Sequence, residues 1–380
     1  MKKPKICFVV SSPFTAQVFL KNHIQELALF YDIFLVANFD SSDKKKIREL
    51  KLKEIKHIPI SREIDLMKDI KTLFLFWNYF SRMKFDAVHT VTPKAGLLGV
   101  FAARLANTNN RVHVFTGQVW HTKTGAFRKL LKIIDKFIVW NATDIIVDGE
   151  AQRQFLIKNK IVTPANSFVL GKGSISGANT QRFIPNAKVK SNVRDELGIR
   201  ANEIVYMFLG RMNTDKGIIE LAEAFNTLQI KYLNVRLLLV GTDEENIKPI
   251  IQQKIKDIKS VIFYGLTLQP EKILQASDVF CMPSYREGFG TSIIEASLLE
   301  KPIICSDTYG LMETIIENKT GLRHKVADVA SLYIAMEKLV TDKNLRQKLG
   351  KIGRAYVLEN FSAKIITEKW LEFYASKFHV

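Results

Sequence analysis

Cysteine is scarce: Cys7, Cys281 and Cys305 are the only three in 380 residues. Each lies in or beside a short apolar run and none has a C-x-x-C spacing, which excludes a disulfide framework and a thiolate metal site and points to a reducing compartment. Long hydrophobic runs are missing as well, since nothing approaches the ~20 consecutive apolar residues that a membrane-spanning helix needs. The opening Met1-Lys2-Lys3-Pro4-Lys5 is followed by only five apolar residues, Ile6 to Val10, too few for the hydrophobic region of a secretory signal. The expectation is a cytoplasmic protein that, where a membrane matters, lies on it. There is no internal repeat and no low-complexity tract. Asp-x-Asp does not occur and the seven histidines show no H-x3-H spacing, so no metal site is expected.

What is present is ordinary globular sequence, 47% hydrophobic and 25% charged, in a length that fits two domains. Short apolar or β-branched runs recur at Ile6–Val10, Ile33–Ala37, Ala87–Val91, Val112–Thr116 and Ile145–Val147, with helix-like stretches between them. A second series runs through Ile204–Leu209, Val235–Val240, Val261–Tyr264, Val279–Met282 and Pro302–Cys305. Such alternation predicts two α/β domains, each a doubly wound, Rossmann-like parallel sheet. The expected boundaries are a first domain over 1–172, a linker over 173–192, a second domain over 193–360 and a terminal helix over 361–380. Ligands of such sheets bind outside the carboxyl ends of the strands, so the site is expected in the cleft between the domains.

Charge is uneven. Residues 1–185 hold 29 Lys+Arg against 14 Asp+Glu, and residues 186–380 hold 27 against 24. The first half therefore suits an anionic partner: nucleic acid, acidic lipid or a phosphorylated substrate. Two of its helical stretches, Lys68–Lys84 and Lys123–Trp140, mix cations with aromatic and aliphatic residues. They read either as interfacial helices on anionic lipid or as core-packed helices with a solvated basic face.

The most informative segment is Ser284-Tyr285-Arg286-Glu287-Gly288-Phe289-Gly290-Thr291-Ser292-Ile293-Ile294-Glu295, between two strand-like runs. Glycines allow a tight turn and close ligand approach, and the amides of Phe289 to Ser292 at a helix start suit a phosphate. Glu287 and Glu295 could flank one ligand and accept from separate hydroxyl groups, as a sugar and a ribose present them. The plain alternative is a strand-to-helix turn. Gly210-Arg211-Met212-Asn213-Thr214-Asp215-Lys216-Gly217 also follows a strand, so Arg211 and Lys216 could neutralise a diphosphate or stand as solvated charges.

These residues carry a resemblance. Gly-Arg-x4-Lys-Gly at 210–217, Gly241 after a strand, the turn Phe263-Tyr264-Gly265, and Glu287 with seven residues before Glu295 resemble family 4 of the retaining, nucleotide-sugar-dependent glycosyltransferases of the GT-B fold. Phe361-Ser362 and the helical stretch to Phe378 resemble that family's terminal helix. The resemblance implies that Arg211 and Lys216 bind the donor diphosphate and Glu287 holds hydroxyls of the transferred sugar. It assigns Glu295 to the ribose, Phe289, Gly290, Thr291 and Ser292 to the distal phosphate, and Gly265, Leu266 and Thr267 to the base, with UDP the usual nucleotide and no catalytic metal.

The first half resembles members that build bacterial surface polysaccharides, O-antigen or capsule, through Val9–Phe14, His89–Gly96 and Phe115–Trp120. This implies acceptor contacts at Ser11, Ser12, Lys94, Thr116, Gly117 and His121. It departs from many members at Ser11-Ser12, where they have Gly-Gly, and at Thr116, where they have His; His113 and His121 are the histidines nearest that point. The implied partners are a UDP-sugar donor, a polyprenyl-diphosphate-linked saccharide and the inner face of the cytoplasmic membrane, reached through the basic first domain. The implied reaction is retaining transfer of an N-acetylated hexosamine or deoxyhexosamine. A sugar-nucleotide epimerase of the same fold is the nearest alternative. A nucleic-acid-binding protein is suggested by the +18 charge alone, without a motif to support it. Oligomeric state is not readable from the sequence.

Overall fold

A computed structural model describes residues 3–40, 50–61 and 65–378. It divides into two compact units, one of residues up to Gly177 and from Ala363 onward, the other Ala178–Ser362. The division falls inside the stretch 173–192 expected as a linker. Residues 178–192 belong to the second unit because local hydrogen bonds tie them there: the Ala178 N–H donates to the Phe361 carbonyl at 2.8 Å, and Asn186 caps the helix Ala187–Glu196 by accepting from the Val189 N–H. Of the expected domain ranges, residues 1, 2, 41–49, 62–64, 379 and 380 lie outside the described residues.

The first unit holds a seven-stranded parallel sheet of β1 (Lys5–Val9), β2 (Asp32–Ala37), β3 (Glu54–His57), β4 (Ala87–Val91), β5 (Asn110–Phe115), β6 (Asp144–Val147) and β7 (Ser167–Val169), in the order 3-2-1-4-5-6-7. The second holds six parallel strands, β8 (Ile204–Leu209), β9 (Val235–Val240), β10 (Val261–Gly265), β11 (Val279–Met282), β12 (Ile303–Ser306) and β13 (Gly321–His324), in the order 10-9-8-11-12-13. The central strands read as continuous apolar runs because helices cover both faces. Three strands have no apolar run in the sequence, β3 (Glu-Ile-Lys-His), β7 and β13, and all three lie at sheet edges. Several strands begin earlier than expected, at the polar residues Lys5, Asp32, Asn110 and Asp144, which the ladder includes although the core does not need them.

Both faces of the first sheet are packed. One carries the terminal helix Ala363–Phe378, whose buried Trp370 and Tyr374 join Phe8 and Ile33 in one core cluster. Its Trp370 Nε1–H donates to the Ile175 carbonyl at 3.1 Å. The other face carries Phe76 and Phe80 from the helix Leu66–Met83 against Phe34 and Phe85. That helix starts where the Asp65 carboxylate accepts from the Lys68 N–H at 3.1 Å and stops at Lys84, which adopts φ +49°.

Candidate active site

In the second sheet β8 neighbours β11, while β9 and β10 lie to the other side. The connections after β8 and β11 therefore depart in opposite directions, and a crevice opens at their carboxyl ends. Both sequence motifs emerge there, 210–217 from β8 and 283–290 from β11. Gly217 lets them touch: it adopts φ +65°, and a Cβ on it would lie 2.1 Å from the Pro283 carbonyl oxygen. Polar contacts then lock the two loops. The Tyr285 N–H donates to the Asp215 carbonyl at 2.8 Å, Arg286 Nε donates to the Asp215 carboxylate at 2.9 Å, and Thr308 Oγ1 donates to the Tyr285 carbonyl at 3.0 Å.

The paired loops bring Lys216 onto Glu287. Lys216 Nζ donates to Glu287 Oε1, with both side chains about 15% exposed, and Ser284 Oγ donates to the same oxygen at 2.8 Å. An ammonium has three donors, so this pairing leaves Lys216 able to bind an anion as well. Arg211 is half-exposed and donates through Nη1 to both oxygens of Glu244, at 3.1 and 3.0 Å. The sequence placed Arg211 and Lys216 together but did not disclose Ser284, Glu244 or the Asp215–Arg286 clip. Glu244 lies 33 residues from Arg211 and Arg286 lies 71 from Asp215, with no periodicity to link them, while Ser284 is three residues from Glu287 in a loop whose turn the sequence does not specify.

The helix Thr291–Leu298 follows at once. Its cap, Gly290, adopts φ +70°, and a Cβ there would lie 2.5 Å from Leu311. The first amides of any helix have no intrahelical acceptor, and they carry the positive end of its dipole. Thr291 and Ser292 sit in this first turn, half-buried. The Phe289 ring instead packs in the core, 4% exposed and tilted against Phe361 at 5.1 Å, so only its backbone can serve a ligand. Glu295, one turn on, is desolvated: burial pushes its carboxyl up to about 7, against the pull of Arg182. Arg182 donates to Glu271 at 2.8 Å and to the Leu268 carbonyl at 3.0 Å. It is thus within electrostatic reach of Glu295 and bonded to Leu268, the residue after the turn of Gly265, Leu266 and Thr267. In that turn Gly265 has φ +83°, Leu266 is exposed, and Thr267 Oγ1 accepts from the Gln269 N–H at 3.0 Å. Nothing in the sequence singled out Arg182, since it belongs to no motif.

The first unit repeats the arrangement with other chemistry. β1 neighbours β4, and their ends meet where Ser11 Oγ and Thr92 Oγ1 share a hydrogen bond of 2.6 Å. Ser12 accepts from the Phe14 N–H, which starts the next helix. Lys94 pairs with Asp69 at 2.8 Å, both largely buried. After β5 come the half-buried Thr116, Gly117 at φ +106° and His121, the last edge-on to Phe155 at 5.0 Å. Trp120 pins this loop by donating from Nε1 to Asp135 at 2.7 Å. Burial raises the Asp135 carboxyl to about 6 while that hydrogen bond lowers it. His113 lies inside β5, fully buried and 2.8 Å from Thr90 Oγ1, and burial pushes it down to about 3. It is a neutral core histidine.

Among the described residues no three His, Cys, Asp or Glu side chains gather as a metal site would require. The arrangement at β8 and β11 is suited to an anion: two cations and a helix start at one crevice, beside carboxylates able to accept from hydroxyl groups. A family model described as "Glycosyl transferases group 1" matches residues 189–356. The chain is 32% identical over 333 residues to the capsular polysaccharide biosynthesis glycosyltransferase CapM of Staphylococcus aureus, covering 87% of each protein. It is 28% identical over 292 residues to an Escherichia coli protein named UDP-Gal:alpha-D-GlcNAc-diphosphoundecaprenol alpha-1,3-galactosyltransferase, covering 75% of this chain and 74% of that one. The fold matches the crystal structure of Anabaena HepE in complex with UDP with a TM-score of 0.80 at 17% identity, over 98% of this chain and 100% of that one. The two Rossmann-like sheets are thus those of the GT-B fold, and the chain belongs to the group 1 glycosyl transferases.

Proposed function

We propose that this enzyme transfers a sugar, an N-acetylated hexosamine or deoxyhexosamine, from a UDP-sugar to a saccharide on a polyprenyl diphosphate in capsule or O-antigen synthesis. The reaction retains the anomeric configuration, needs no metal and takes place at the inner face of the cytoplasmic membrane. The observation that carries this reading is the meeting of Lys216, Glu287 and the start of the helix Thr291–Leu298 at one crevice, with Glu295 one turn further on. The Escherichia coli relative's name specifies a UDP-sugar and a diphosphoundecaprenol acceptor, and the Anabaena neighbour was crystallised with UDP.

In this reading the bond between the anomeric carbon and the distal phosphate oxygen breaks as the acceptor oxygen bonds to the same carbon. Charge grows on the departing phosphate, which takes up the proton of the acceptor hydroxyl. Lys216, Arg211 and the amides of Gly290, Thr291 and Ser292 stabilise that charge more than they stabilise the bound donor, which is what accelerates the step. Glu287 accepts from sugar hydroxyls and orients the ring, Glu295 accepts from the ribose, and the turn at Gly265–Thr267 meets the base. On the first unit, Ser11, Ser12, Thr116, Gly117 and His121 stand at the ends of β1 and β5 for the acceptor.

The test is thermal stabilisation by a panel of UDP-, GDP- and ADP-sugars, followed by product analysis with and without acceptor in the presence of EDTA. A ligand that binds only the folded protein raises its stability with concentration. A UDP-selective shift, weakened about 10- to 100-fold in Glu295→Ala, and an α-linked product insensitive to EDTA are expected. Conversion of the donor without acceptor would overturn the transferase reading in favour of an epimerase.

A further inference from the structure

The helix Leu66–Met83 is apolar on two sides. One side is buried against the sheet, and the other exposes Leu66, Met67, Ile70, Phe74 and Trp77, between 41% and 82% accessible. Positions 66, 70, 74 and 77 recur every three or four residues and so form one stripe. Lys71 and Arg82 border it, Lys68 is paired with the capping Asp65 at 2.9 Å, and the carboxylate within the helix, Asp69, is paired with Lys94.

A second helix does the same. Gly125–Asn141 exposes Phe127, Leu130, Ile133 and Trp140, between 47% and 65% accessible, interleaved with the exposed Lys129 and Lys136. Its only carboxylate, Asp135, is buried on Trp120. Both helices pack on the helix Pro93–Leu105 that lies between them. The crossovers from β3 to β4, β4 to β5 and β5 to β6 all step the same way along the sheet, and right-handed connections place their helices on one face. The two stripes therefore belong to a single layer, and the helix between them ends at exposed Leu105 and at Arg104, whose guanidinium lies 4.0 Å from the centre of the Trp140 ring.

An exposed apolar surface of this extent marks a docking site, and its border selects the occupant. Cations without unpaired carboxylates suit anionic headgroups, and tryptophan favours the boundary between headgroup and acyl chain. A second copy of this basic chain would bring like charge against like, and a nucleic acid would leave the apolar stripes in water. No helix among the described residues is long and apolar enough to cross a bilayer, so the layer would rest on one. We propose that the layer formed by the helices Leu66–Met83 and Gly125–Asn141 docks on an anionic lipid surface, with Trp77 and Trp140 inserted at headgroup level. The inner side of the second helix also holds the Gly117–His121 loop through Asp135 and Trp120. The inference deepens the reading of a lipid-borne acceptor. Its test uses neither donor nor acceptor, so its failure would leave the transfer chemistry standing.

The four tryptophans make the layer directly readable, because Trp77 and Trp140 are exposed while Trp120 and Trp370 are each 1% accessible. The full chain is floated with phosphatidylcholine vesicles with and without phosphatidylglycerol, and its fluorescence is read against brominated lipid and aqueous acrylamide. Expected are flotation with the anionic vesicles only, quenching by the brominated chains and protection from acrylamide. Trp77→Ala with Trp140→Ala should weaken binding about tenfold, and Lys129→Gln with Lys136→Gln about fivefold per cation removed, with circular dichroism unchanged. Absence of flotation at low salt, or binding indifferent to both double variants, would overturn the proposal. So would protection of Trp77 and Trp140 without vesicles as protein concentration rises, which would mean self-association. Protection by an oligonucleotide would mean a nucleic-acid face and would overturn it equally.

Discussion

Two parallel sheets with the same crossover pattern carry opposite polar chemistry. The first unit has 31 Lys+Arg against 16 Asp+Glu, and the second 25 against 22. Inside the first, three histidines are fully buried and kept neutral: burial lowers His23 to about 4 and His89 and His113 to about 3. His23 meets Thr367 at 2.9 Å and His89 meets Tyr374 at 2.6 Å, so both fasten the terminal helix. In the second unit charged pairs stand at the strand ends as well, Lys216 with Glu287, Arg211 with Glu244 and Arg286 with Asp215. A buried lone titratable group gives up its charge, whereas a group that must meet an anionic ligand keeps its charge and needs a partner and a mouth to solvent. The difference accords with the proposal that donor chemistry belongs to the second unit, and it leaves the first with a helix anchor and an exposed basic layer.

The sharpest way to break that contrast is Lys216→Ala, expected to lower kcat about 10²- to 10³-fold with little change in stability, as for loss of one preorganised donor to a developing charge. Steady-state kinetics with circular dichroism checks it, and near-normal turnover in a folded variant would remove Lys216 from the chemistry. Next comes Trp370→Ala, which takes a large ring from the first unit's core and should cost about 3–5 kcal/mol. All four tryptophans lie in the first unit, so fluorescence during urea unfolding reads that unit while far-ultraviolet dichroism reads both. An early fluorescence transition with a later one left in the dichroism is expected; coincident transitions would show that the units unfold as one.

Acidity separates the units more finely. His23, His89 and His113 have folded values below the ordinary 6.5, so the unfolded chain takes up protons first, and the first unit loses stability as pH falls below about 6.5. Asp135, raised to about 6, opposes this with one carboxyl against three rings. Glu295 has the reverse sign: with its folded value raised from 4.5 to about 7, its contribution is full below 4.5 and is lost as pH rises through 7. His324, lowered by burial, partly offsets it in the second unit. Moving from pH 7 to pH 5 should therefore lower the urea midpoint seen by fluorescence more than that of the second transition. Lys301, lowered by burial to about 7, is already protonated in the unfolded chain over this range, and the folded unit regains that proton as pH falls through 7, so it opposes Glu295 only close to pH 7. Glu295→Gln should therefore lessen the pH slope of the second transition alone. The smallest effect expected is from Arg286→Ala, which opens the clip on Asp215 without touching substrate and should reduce kcat about fivefold at most, the scale of a partly exposed ion pair; Arg286→Lys should recover part of it.

Much of this was legible beforehand. The central strands announced themselves because a parallel sheet covered on both faces demands unbroken apolar runs, and β4, β8, β9 and β11 fall where those runs do. The motif at 284–295 was legible because turn glycines, a helix start and two carboxylates lie within a dozen residues. The edge strands β3, β7 and β13 were not: β3 is mostly exposed, β7 is only three residues long, and β13 is buried but carries Gly, Arg and His around a single Leu. Ser284 beside Glu287 looked like any loop serine. Lys94, expected to meet an acceptor phosphate, proves to be paired with Asp69 from a neighbouring helix.

The sequence by itself determined the strand–helix alternation, the glycines that let loops turn and approach, and the identities of the residues at the strand ends, because backbone geometry and apolar periodicity are local properties. Only the tertiary structure decided which charge meets which. Strand order brought β8 beside β11 and so Lys216 onto Glu287; it also set Arg182 near Glu295 and left two helices of one layer with apolar stripes facing out. Pairing and exposure depend on distances in space, and a chain's spacing along itself does not contain them.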